Sequence, residues 1–208
     1  SPINDPVSSL VLYRYIEQLD GGRSYFLASD IAEFERYRYQ FDDAVLTGKL
    51  EPVFAIFNRF QMRNRERIAF AMQQLQTEPD FTKDETFQFD RSKAPWAKSV
   101  AELNEIWRQR VKNDAISLML TDKPWSETSD VLRKRYERVL KRTEQVTSDD
   151  IFEVFMNAFA HVFDPHSSYF SPRNSEEYKI QMSLSYEGIG ASLQLIDDYV
   201  TVLNVLPG

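Results

Sequence analysis

His161, Asp164 and His166 stand in a His-x-x-Asp-x-His spacing, and the two histidines are the only ones in the chain. Imidazole nitrogens and a carboxylate are ligands that zinc accepts, so a metal-dependent hydrolase is one chemistry the cluster could carry. Pro165, however, breaks a helix between these groups. A helix end, with Asp164 receiving backbone N–H groups before the proline, accounts for the same residues, and we read no metal and no cofactor here. Adjacent carboxylates such as Asp42 and Asp43 do not face each other on a helix and make no acid–base pair. Nucleophilic catalysis has no visible seat either. The chain lacks cysteine, Gly-x-Ser-x-Gly and Ser-x-x-Lys, and no catalytic residue is expected within it.

A second pattern points to binding. Tyr186-Glu187-Gly188-Ile189-Gly190-Ala191 precedes a stretch in which Ala191, Leu193 and Leu195 alternate with other residues. Glycines let successive backbone N–H groups converge on one point, forming a nest for an anion such as a peptide's terminal carboxylate. The strand that follows could pair with the peptide backbone. The same residues also suit a plain tight turn into a hairpin.

The elements that would position these groups are mostly helices. Leu12, Ile16 and Leu19 share one helical face, and Gly21-Gly22 ends that run. Asp30 and Glu33 form a capping-box pattern before Ile31, Phe34, Tyr37, Phe41 and Val45, with Gly48 at the end. Pro52 suits the first turn of a long helix carrying Val53, Ile56, Phe57, Phe60, Ile68, Met72 and Leu75, closed by Glu78-Pro79. Residues 80–95 have no period and read as a long loop anchored by Phe81, Phe87 and Phe89. Ser99 and Glu102 cap a helix bearing Leu103, Trp107, Val111, Leu118 and Met119. Beyond Lys123-Pro124, Leu132, Tyr136, Val139 and Leu140 mark another. Ser148 caps the next, which turns Phe152, Phe155, Phe159 and Val162 inward and stops at Asp164-Pro165. Asn174 and Glu177 suit a short helix with Tyr178 and Met182. From Gly188 the period falls to two, with Asp197-Asp198 as a turn and Val200 and Val202 on the returning strand.

Composition narrows the options. Of 208 residues, 42% are hydrophobic and 27% charged, with 15 Phe and 10 Tyr, which suits a folded globular chain. A net charge of -7 disfavours a broad nucleic-acid or anionic-membrane surface. The two basic concentrations, Arg59 to Arg67 and Arg133 to Arg142, read as solvated helix faces. No apolar run reaches the length of a membrane span.

Phe163-Asp164-Pro165-His166-Ser167-Ser168-Tyr169-Phe170, followed by the Met182 to Gly190 segment, closely resembles the tail-specific, or carboxy-terminal processing, serine proteases. Asp90-Arg91-Ser92-Lys93-Ala94-Pro95-Trp96, Leu27-Ala28-Ser29-Asp30 and Thr47-Gly48-Lys49-Leu50 are similar to segments of the same family's helical region. The resemblance implies a mainly α fold: a helical N-terminal domain over residues 1–177, then the first β-strands of an incomplete PDZ domain over 178–208. It implies a periplasmic endopeptidase, with association at the membrane periphery left open, acting on proteins with unstructured apolar C-termini through a Ser–Lys dyad beyond this chain. Gly188, Ile189 and Gly190 would form the carboxylate loop, Ala191 to Leu195 the pairing edge, and a lipoprotein adaptor is a further expected partner. The alternative expectation is a helical scaffold or adaptor-docking domain with no catalysis of its own.

Overall fold

The computed structural model describes residues 5–41, 44 and 47–164. Six α-helices are defined among them: α1 (Asp5–Leu19), α2 (Ala28–Phe34), α3 (Glu51–Gln74), α4 (Val100–Met119), α5 (Trp125–Glu144) and α6 (Ser148–Phe163), with a 3-10 turn at Glu35–Tyr37 after α2. No strand occurs among the described residues; the single strand-like pairing is an isolated parallel bridge between Leu27 and Ala97. The expected short helix near Asn174 and the expected hairpin after Gly188 lie outside the described residues, as does Val45.

α3 is the axis of the molecule. Its 24 residues make a rod of roughly 36 Å at 1.5 Å per residue, and its two halves serve different cores. The first half packs Val53, Ile56, Phe57 and Phe60 with Leu12 and Tyr15 of α1, Phe34 of α2, Phe41, and Phe152 and Phe155 of α6. The second half packs Ile68, Ala71 and Leu75 with Trp107, Val111 and Ala115 of α4 and Leu132 and Tyr136 of α5. Tyr25 lies against both cores, its ring 5.1 Å from Phe60 and 5.4 Å from Trp107. Two aromatic polar groups inside these contacts find specific partners, as burial demands. The Tyr15 hydroxyl donates to the Val53 carbonyl at 2.9 Å, and the Trp107 indole N–H donates to the Ser24 carbonyl at 2.7 Å.

Helix ends correct several expectations by small amounts. Ser99 does cap α4, accepting from the Glu102 N–H at 3.2 Å, but the Glu102 carboxylate reaches back to Lys98 N–H at 2.7 Å. α6 is capped by Thr147 rather than Ser148: the Thr147 hydroxyl accepts from Asp150 N–H and the Asp150 carboxylate accepts from Thr147 N–H. Asp30 is the third residue of α2 rather than its cap, and its carboxylate accepts from Leu27 N–H at 2.9 Å. The helix expected to run through Phe41 breaks instead into the 3-10 turn at Glu35–Tyr37. α3 ends at Gln74, ahead of Glu78-Pro79, because Leu75 N–H is shared between the Ala71 and Met72 carbonyls, the tightening common at helix ends. Gly48 takes φ 71, a left-handed conformation that disfavours any residue with a Cβ.

Candidate functional site

Gly188, Ile189 and Gly190 lie outside the described residues, and so does His166. His161 sits in the last turn of α6, partly exposed, beside Arg14, Glu17 and Gln18 of α1. Among the described residues no group of three or more His, Cys, Asp or Glu side chains is arranged to hold a metal ion.

The residues the structure does bring together are those of two segments singled out in the sequence, Leu27 to Asp30 and Asp90 to Trp96. They form one knot at the end of α1. The chain leaves α1 at Asp20, which is buried at 2% exposure. Its carboxylate accepts three backbone N–H groups, from Ser24 at 2.9 Å, Tyr25 at 3.0 Å and Phe26 at 2.9 Å. This anion cage holds the turn through Arg23, which has φ 50. Burial pushes the Asp20 carboxyl above its ordinary value, while the three N–H groups and the nearby Arg91 charge pull the other way.

The second segment then clasps that turn. Arg91 donates from Nε to the Gly22 carbonyl at 3.1 Å, and Arg23 donates from Nη1 to the Ala94 carbonyl at 2.8 Å. The Arg23 guanidinium lies over the Trp96 ring, 4.9 Å from its centroid, a cation–π contact that also fixes the ring. Ala28 N–H donates to the Ala97 carbonyl at 2.7 Å, closing the Leu27–Ala97 bridge. Between the knot and α1 lies a groove of about 200 Å³ whose lining includes Tyr13, Ile16, Arg23, Ile31 and Trp96.

Close by, Asp30 carries a buried ionic constellation. It is 1% exposed and receives Arg63 through two bonds, Nε to Oδ2 at 2.8 Å and Nη2 to Oδ1 at 2.9 Å. Arg59 bridges Asp30 and Glu33, and Arg63 also reaches Glu66 at 3.0 Å. Burial alone would raise the Asp30 carboxyl, but hydrogen bonds from Arg63, Leu27 N–H and Arg59 outweigh it and hold the group below its ordinary value. Arg67, one turn further along α3, is 2% exposed and donates to the Asn104 side chain at 2.7 Å. The expectation of a solvated face over Arg59 to Arg67 is therefore corrected. Arg59, Arg63 and Arg67 recur every four residues, so they share one face of α3. Nothing local identified their partners.

A third cluster fastens the long loop before α4. Glu85 receives Arg108 and Lys112 of α4, and Lys112 Nζ also donates to the Lys83 carbonyl at 2.8 Å. These two cations hold the Glu85 carboxyl down at about 2. Phe81 packs toward Trp125 with ring centroids 6.3 Å apart, as expected of an anchor. Phe89 does not: it is 81% exposed and touches Phe87 edge-on, 4.8 Å between centroids.

Chemically, these clusters are made for holding rather than reacting. Each carboxylate is engaged by arginine, lysine or backbone N–H, and the serine at the centre of the knot, Ser24, is used through its backbone.

The tail-specific protease N-terminal domain model matches residues 1–173, and the chain belongs to that family. It is similar to the tail-specific protease of Haemophilus influenzae, 39% identical over 207 residues that cover 99% of this chain and 30% of that protein. The chain thus spans about 30% of the length of this curated relative.

Proposed function

We propose that this chain is the helical front region of a serine-type endopeptidase that processes proteins from their C-terminal tails. The family match over residues 1–173 carries the reading, and the 39% identity to a tail-specific protease supports it. In this reading the helical domain contributes no catalytic residue. A serine made nucleophilic by a neutral lysine acts on the scissile carbonyl from a part of the protein outside this chain. Gly188, Ile189 and Gly190 present backbone N–H groups to the terminal carboxylate of an apolar, unstructured tail. The strand from Ala191 to Leu195 pairs with the tail backbone as the first edge of a PDZ domain. The setting is the periplasm, and a lipoprotein adaptor is a fitting partner for the helical surface.

The test is cleavage of a folded reporter carrying an unstructured apolar C-terminal extension. The complete protein is expected to degrade it and to spare the same reporter with an amidated terminus, while the 208-residue chain alone leaves both intact. A complete, folded protein that cleaves neither reporter overturns the reading.

A further inference from the structure

The charges of α5 are sorted by position. On a helix of 3.6 residues per turn, Lys134, Arg135, Arg138, Lys141 and Arg142 fall within an arc of about 120° that extends roughly 12 Å along the axis. Leu132, Tyr136 and Thr143 lie on the opposite side, buried. The adjoining edge is neutralised internally: Arg133 pairs with Asp130 at 2.6 Å and Glu137 at 2.8 Å, and Glu144 takes Arg65 of α3. Within the cationic arc only Lys134 has such a partner, Asp130 at 3.1 Å. Among the described residues, Arg135, Arg138, Lys141 and Arg142 make no ion pair. The helix dipole accounts for Lys141 and Arg142, which are in the last turn, but not for Arg135 and Arg138 in mid-helix. In a chain of net charge -7, a run of uncompensated cations on one face is a local arrangement rather than a product of composition.

From this arrangement we propose that the outer face of α5 docks a narrow acidic segment of another polypeptide. Three of the five cations are arginines, whose planar fork matches a carboxylate at two points. Arg135 and Arg142 are half-buried, so their stems are held and their heads have limited reach. The carboxylates of Asp130, Glu137 and Glu144 line one edge of the stripe. A planar anionic bilayer laid on this face would meet those carboxylates as well as the cations, whereas a single strand or helix can lie along the cations beside them. No aromatic side chain is exposed along the stripe to stack a nucleic-acid base.

The test is titration of a labelled oligoglutamate peptide against the 208-residue chain. Saturable binding that weakens with added salt is expected. Arg138→Gln combined with Lys141→Gln should weaken it by about tenfold, the scale of losing two complementary charges. Arg133→Gln should leave affinity nearly unchanged, because that cation already serves Asp130 and Glu137. Circular dichroism and the melting temperature should be the same for all three proteins, since the substituted residues are exposed. Three results overturn the proposal: no saturable binding, an Arg133→Gln loss as large as that of the double variant, or tighter binding to phosphatidylglycerol vesicles or duplex DNA than to oligoglutamate.

Discussion

Arg63 and Asp30 are 33 residues apart and meet through two parallel bonds of 2.8 and 2.9 Å, joining the long central helix to the short helix after the Asp20 turn. Both side chains are largely withdrawn from water, at 13% and 1% exposure. Removing one partner leaves a buried charge less than fully compensated. Arg63→Met is expected to destabilise the domain by about 2–4 kcal/mol, less than a full orphaning because Arg59 remains on Asp30. The carboxyl's folded pKa is depressed. Its contribution is therefore present above the unfolded value of about 3.9 and is lost as pH falls through the folded one. Urea unfolding at neutral pH and in acid measures both. A wild-type and variant that differ equally at neutral pH and well below both pKa values would show that the pair is not the source.

Asp20 behaves in the opposite sense. Burial raises its folded pKa, so this group contributes most in acid, and its contribution falls as pH rises from the unfolded value through the raised folded one. Asp20→Asn removes that dependence but turns an amide N–H₂ toward Ser24 N–H, leaving a buried donor unmet. A loss of about 1–3 kcal/mol at neutral pH is expected. An unchanged unfolding midpoint would mean the turn after α1 holds without its anion.

Phe155 is fully buried, with its ring 5.9 Å from Tyr15 and 5.6 Å from Phe41. Phe155→Ala should cost about 3–5 kcal/mol through lost burial and a residual cavity. A change in unfolding free energy below about 0.5 kcal/mol, the ordinary scale of surface substitutions, would contradict this placement.

Glu85 clips the loop before α4 onto Arg108 and Lys112. With a pKa near 2, it stays ionised down to strong acid. Its clip is full above the unfolded carboxyl value and opens as pH falls toward 2. Glu85→Gln should accelerate limited trypsin cleavage after Lys83 or Lys93 while leaving the melting temperature nearly unchanged. Unaltered cleavage would show that Phe81 packing alone fixes the loop.

The parts of this architecture that could be read beforehand are those encoded over one or two helical turns. Trp107 and Val111, or Phe152 and Phe155, declare their faces by spacing, and Ser99 declares a cap because its partner Glu102 is three residues away. The misreadings share a cause in distance or in degeneracy. Asp30 resembled a cap, yet most of its partners are on α3, and no local pattern records that pairing. Arg63 and Arg67 looked like solvated charges for the same reason. Thr147 and Ser148 both carry a capping hydroxyl, and the position of Asp150 decides between them. Phe89 reads as an anchor in the sequence because a large aromatic in a loop usually packs, but its neighbours leave it in water. The glycine segment at Gly188 to Gly190 lies outside the described residues, so its role rests on the resemblance and on the chemistry of a backbone anion nest.

That role is open to a single titration. A labelled peptide with an apolar free C-terminus should bind the complete protein, lose affinity when its carboxylate is amidated, and lose it again in a Gly188→Val variant whose helical domain still melts normally. On the proposed reading, in which part of the PDZ groove comes from outside this chain, the 208-residue chain alone should bind it far more weakly. Equal binding by the chain and the complete protein, or an affinity indifferent to Gly188→Val, would contradict the account and move tail recognition away from the glycine segment.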